Sequence, residues 1–121
     1  MEARRDTVLT VTQREHWADF IEKGIGRLEP KIIVRRATTK ESALAIIAQD
    51  VESLQAVISE RSLTGTVGNE GAEITKAAID AGVPHAAILS ADPEDVHPNE
   101  GVEVWFKGHP FDEKLRSFLN L

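Results

Sequence analysis

The chain is expected to fold as an α/β domain, a doubly wound five-stranded parallel sheet with helices on both faces. Short apolar runs alternate five times with stretches of helical period along 121 residues. The strand candidates are mainly apolar and do not alternate, as strands of a parallel sheet covered on both faces do. The length, with 41% hydrophobic and 28% charged residues, suits one compact domain spanning residues 1–121.

Each element has its own reason. Val8-Leu9-Thr10-Val11-Thr12 is short and β-branched, so it reads as the first strand. From Arg14 the period changes, with Trp17, Phe20, Ile21, Ile25 and Leu28 at helical spacing and on a core-facing stripe, and Pro30 marks the end. Ile32-Ile33-Val34 is the second strand. Thr38 and Glu41 have the spacing of a capping box ahead of a helix carrying Ala43, Leu44, Ile46 and Ile47. Ala56-Val57-Ile58-Ser59 is the third strand, and the turn-rich stretch from Leu63 to Gly71 follows as a loop. Ile74, Ala77, Ala78 and Ala81 give the next helix a narrow face, which Gly82 and Pro84 terminate. Ala86-Ala87-Ile88-Leu89 is the fourth strand. Residues 92–101 hold two prolines and Asn99, so any helix there is short. Val102-Glu103-Val104-Trp105-Phe106 is the fifth strand, and Asp112 is a candidate cap for a last helix with Leu115, Phe118 and Leu119 on one face.

Composition narrows the function classes. The net charge of -6 gives no long-range attraction to nucleic acid or to an anionic membrane, so neither is expected as a partner. The pairs Arg4-Arg5 and Arg35-Arg36 read as solvated surface. The absence of cysteine excludes disulfides, thiolate nucleophiles and cysteine-ligated zinc. The charged start, Glu2-Ala3-Arg4-Arg5-Asp6, is unlike a signal peptide, no stretch has the length of a membrane span, and a cytoplasmic protein is expected.

In an open parallel sheet, chemistry sits beyond the carboxyl ends of the strands. Those ends carry Thr12 and Gln13 after strand one, Glu60 after strand three, Ser90 after strand four and Lys107 after strand five. Around them, Val57-Ile58-Ser59-Glu60-Arg61-Ser62-Leu63-Thr64-Gly65 resembles the strand-Asp-x-x-Met-Pro-Gly pattern of response-regulator receiver domains, with Glu60 at the phosphoacceptor. Val83-Pro84-His85-Ala86-Ala87-Ile88-Leu89-Ser90-Ala91 looks like that family's Pro-led fourth strand ending in Ser-Ala. Phe106-Lys107-Gly108-His109-Pro110-Phe111 is similar to its Lys-Pro-Phe, with Gly108 and His109 inserted. The resemblance runs from about Val8 to the end and implies a flavodoxin-like (CheY-like) fold, (βα)5. With sixteen residues between Ser90 and Lys107, the helix four that the family has there is shortened.

The departures carry the functional reading. The family's acidic pair and acceptor Asp together hold magnesium, whereas Thr12 and Gln13 bring no charge. Glu60 is one methylene longer than Asp, which displaces an attack geometry tuned to the shorter side chain. The resemblance therefore implies an atypical, pseudo-receiver variant with a degenerate phosphoacceptor pocket of Thr12, Gln13, Glu60, Ser90 and Lys107. Glu60 beside Lys107 is then a permanent, partial imitation of a phosphorylated Asp, with one negative charge where phosphate carries nearly two. The same residues also read as a plain ion pair closing the sheet, a loop contact at Ser90, and a helix cap region at Thr12 and Gln13. Val104 stands where the family's switch has an aromatic, and Trp105 points to the other face.

Other chemistry finds less support. His16, His85, His97 and His109 have no ligand spacing, so no metal is expected. Gly65, Gly68 and Gly71 lack the Lys-Ser/Thr of a phosphate loop and read as flexible turn. The expectation is a non-enzymatic, cofactor-free signalling domain that works by phosphorylation-independent protein interaction. Its partner would be a histidine kinase or another signalling protein, met through residues 92–101 and the last helix, with a homodimer as a further arrangement. The alternatives are a flavodoxin-like small-ligand-binding domain using the cleft near Gly65–Gly71, and a receiver weakly phosphorylated on Ser90 or Ser62.

Overall fold

The computed structural model describes residues 5–63, 69–92, 96–108 and 110–119. Five strands, β1 (Thr7–Val11), β2 (Ile33–Ala37), β3 (Leu54–Glu60), β4 (His85–Ser90) and β5 (Val102–Phe106), form one all-parallel sheet in the order β2-β1-β3-β4-β5. Four helices accompany them: α1 (Glu15–Leu28), α2 (Lys40–Asp50), α3 (Glu70–Ala81) and α4 (Asp112–Phe118). This is a flavodoxin-like arrangement, and its strand order reverses between β1 and β3. The crevice of the fold therefore opens beyond Val11 and Glu60.

Strand parity divides the core into two layers. Val8, Ala56, Ile58, Ala87, Leu89 and Trp105 face α1 and α4, where Ile21, Ile25, Phe111, Leu115 and Phe118 meet them. Leu9, Val11 and Val57 face the other way, against Ala43 and Ile47 of α2 and Ile74 and Ala78 of α3. Trp105 is fully buried and Val104 only partly so, as the alternation requires.

Several local expectations are corrected. The cap of α2 is Thr39, whose hydroxyl accepts from the Ser42 amide at 3.1 Å, so the capping register lies one residue beyond the Thr38/Glu41 pair. Asp112 is the first residue of α4 and not its cap, the N-cap position being Phe111. The Trp17, Phe20 and Ile21 stripe is not uniformly core-facing: Ile21 is buried, but Phe20 is half-exposed beside a partly buried Trp17. β2 extends through Arg35 and Arg36 because it is an edge strand, where side chains reach water. Those arginines are also paired, Arg35 with Asp50 and Arg36 with Asp19 and Glu22. The Asp19 hydrogen bond is the largest of the effects that raise the Arg36 pKa.

Between β4 and β5 the described residues 96–101 form no helix, residues 93–95 being outside those described. Val96 packs on Ala86, Ile88 and Val102 instead, and the Asn99 amide donates to the Ala72 carbonyl at 3.4 Å. A proline and an asparagine at 98–99 favour this extended cover over a helical one. α3 ends as expected on Gly82, left-handed at φ 105, with its N–H on the carbonyls of Ala78 and Ile79. No helix of the described residues is long and apolar enough to cross a membrane.

Candidate functional site at the carboxyl edge of the sheet

Glu60 ends β3, and its parity with Ala56 and Ile58 turns its side chain toward the α1 side. It is 4% exposed. Both carboxylate oxygens are engaged: Oε2 accepts the Thr12 hydroxyl at 2.6 Å, and Oε1 accepts the Lys107 ammonium at 2.5 Å. Thr12 relays the contact onward, because its Oγ1 accepts the Arg14 amide at 3.0 Å just ahead of α1. Thr12 thus belongs to a cap region and to the pocket at once.

Lys107 follows β5 and is held from two sides. Its amide donates to the Ser90 carbonyl at 3.0 Å, continuing the β4–β5 ladder by one residue. Its ammonium meets Glu60 and also lies 5.3 Å from the centroid of the Trp17 ring, a cation–π arrangement. Trp17 in turn packs edge-on against Phe20, with ring centroids 5.8 Å apart. The carboxylate is therefore connected through Lys107 and Trp17 to the half-exposed face of α1.

The structure brings Thr12, Glu60 and Lys107 together and leaves Gln13 and Ser90 as lining residues. In the β3–β4 register Leu89, not Ser90, stands opposite Glu60. The Ser90 hydroxyl accepts the Asp92 amide at 3.0 Å, the loop contact that the sequence also allowed. Gln13 is exposed on the rim of an open cleft of about 380 Å³, which Arg14, Arg61, Ser62 and Lys107 also line.

Gly71 proves to be a packing residue and not flexible turn. It lies in the first turn of α3, and its amide donates to the Arg61 carbonyl at 3.0 Å. A Cβ added there would stand 2.4 Å from the Glu60 carbonyl oxygen, a distance no side chain tolerates. The start of α3 is thereby pressed onto the end of β3, which fixes the backbone that aims Glu60. Gly65 and Gly68 fall outside the described residues, and so does His109.

The arrangement fits magnesium poorly. A hard divalent ion wants several anionic oxygens, but the charge of Glu60 is already paired with the Lys107 ammonium, and Thr12 and Gln13 are neutral. Among the described residues no group of three or more His, Asp or Glu side chains converges. Arg14 and Arg61 are the lining residues that motif reading passed over. Their signal was position, since each directly follows a strand end already singled out.

Compared with models of known families and with curated proteins, the chain matches none.

Proposed function

We propose that this chain is a pseudo-receiver, a cytoplasmic signalling domain that works through protein interaction without accepting phosphate and without catalysing a reaction. The observation that carries the reading is Glu60, a carboxylate at the position the resemblance gives to the acceptor, buried and engaged on one oxygen by the Lys107 ammonium and on the other by the Thr12 hydroxyl. Attack on a phosphodonor needs a free carboxylate oxygen in line with the phosphorus and a metal to neutralise the equatorial oxygens. Here attack would have to proceed from an oxygen already held by a short contact, and the neutral Thr12 and Gln13 add no charge to hold the metal.

The same contacts resemble a signalling state held permanently on. Glu60, paired with Lys107, is then a permanent, partial imitation of a phosphorylated Asp, with one negative charge where phosphate carries nearly two. Lys107 passes that pairing to Trp17 and Phe20. The partner is a protein, either a histidine kinase, another signalling protein or a second copy of the chain, meeting the α1 side of the sheet, where Phe20 is half-exposed; residues 96–101 cover the opposite side, beside α3.

Affinity capture from source-cell lysate in chelator, with no phosphodonor, tests this. The wild-type chain should retain a specific protein, and Glu60→Gln and Lys107→Ala should lose it alike. Capture that appears only after treatment with a phosphodonor and magnesium, or that ignores both substitutions, would overturn the reading.

A further inference from the structure

We propose that the cleft beyond β1 and β3 binds a small phosphate-bearing molecule, held without metal by the Arg14 and Arg61 guanidinium groups. The chain is acidic overall, at -6, and four of the seven arginines among the described residues are tied down. Arg5 donates to the carbonyls of Val51 and Leu54, Arg27 pairs with Asp112, Arg35 with Asp50, and Arg36 with Asp19 and Glu22. Arg14 and Arg61 have no acidic or hydrogen-bonding side-chain partner among the described residues, yet they line one cleft. An arginine fork left open at the crevice of a doubly wound sheet suits a phosphate oxygen pair.

The immediate surroundings favour an anion. Glu60 would repel one, but its charge is spent on Lys107 and Thr12 beneath the cleft. Asp92 is the other carboxylate on the lining, beside two arginines with no acidic partner among the described residues. Ser62 also lines the cleft, and its hydroxyl, itself buried, makes no hydrogen bond among the described residues. At about 380 Å³ the cleft has room for a phosphate together with a small organic body.

The inference uses the cleft alone and is independent of the signalling reading. Covalent phosphate on Glu60 would sink that reading and leave this one standing. The test is an amide-resolved NMR titration of the full chain in chelator, at constant ionic strength. Inorganic phosphate and a ribose phosphate monoester are titrated separately, with unphosphorylated ribose as control. Saturable shifts are expected at Arg14, Arg61, Ser62 and Ser90. Arg14→Gln and Arg61→Gln should each weaken binding by about tenfold, the loss of one charge-assisted contact. Lys76→Gln, which removes a cation paired with Asp80 on α3, should change nothing. Tighter binding of the monoester would assign an organic phosphate, and equal binding free phosphate. Absence of saturation at millimolar phosphate, equal shifts with chloride, or binding indifferent to Arg14→Gln would overturn the proposal. Arg14 is exposed, so that variant keeps the fold even where Arg61→Gln does not.

Discussion

Replacing Lys107 by Met removes the ammonium from Glu60 while keeping a long apolar stem over Trp17. Glu60 then remains a buried carboxylate with only the Thr12 hydroxyl, and breaking one side of a buried ion pair costs about 3–5 kcal/mol. The Lys107 side chain is 17% exposed and that of Glu60 5%, so cleft water relieves part of the loss and the lower end, about 3 kcal/mol, applies. With a urea slope of about 2 kcal/mol per molar, the unfolding midpoint should fall by about 1.5 M. The double variant Glu60→Gln/Lys107→Met should lose much less than the sum of the two single changes, because neither partner is then left uncompensated. A loss under about 1 kcal/mol for Lys107→Met, additive with that of Glu60→Gln, would refute the claim that the pair is a buried unit, since that is how exposed pairs behave.

Thr12→Val should cost about 1–2 kcal/mol in the same assay, because it removes a hydrogen bond to a charged, buried oxygen and keeps the shape. Gly71→Ala should destabilise by about 1–3 kcal/mol, since its Cβ collides with backbone and α3 must shift; amide shifts at Glu60 would report that displacement directly. Phe20→Ala, at a position 50% exposed, should cost under about 1 kcal/mol, whereas Trp105→Ala, fully buried among Phe111 and Phe118, should cost about 3–5 kcal/mol in thermal or urea unfolding.

Where burial and period agree, the sequence already carries the fold. β1 and β4 are within one residue of their predicted limits, because strands buried on both faces are written as mostly apolar runs; β5, an edge strand with Glu103 exposed, also has its predicted limits. β2 was cut short for the converse reason: Arg35 and Arg36 are edge residues whose charges are satisfied by α1 and α2, which no local window contains. The caps of α2 and α4 slipped by one residue because Thr38 and Thr39, or Phe111 and Asp112, differ only in which backbone turns helical first. Phe20 has the helical spacing of a core residue, yet it stands 50% exposed beside the buried Ile21 of the same helix.

The site was legible to the same degree. Strand-end position located Glu60, Lys107 and Thr12, and the structure joins them with two short hydrogen bonds. Ser90 failed to join because register, which a sequence does not state, sets Leu89 across from Glu60. Trp17 was read as core and Gly71 as loose turn, since a cation–π contact and a helix start pressed on a strand end both arise between distant segments. Arg14 and Arg61 were ordinary surface charges until the fold brought them to one cleft.

The central claim is that Glu60 is committed to Lys107 and Thr12 and is closed to phosphoryl transfer. Intact-mass measurement after incubation with a small phosphodonor and magnesium tests it most directly. The mass should stay that of the unmodified chain; gain of one phosphoryl group, mapped to Glu60, would contradict the account.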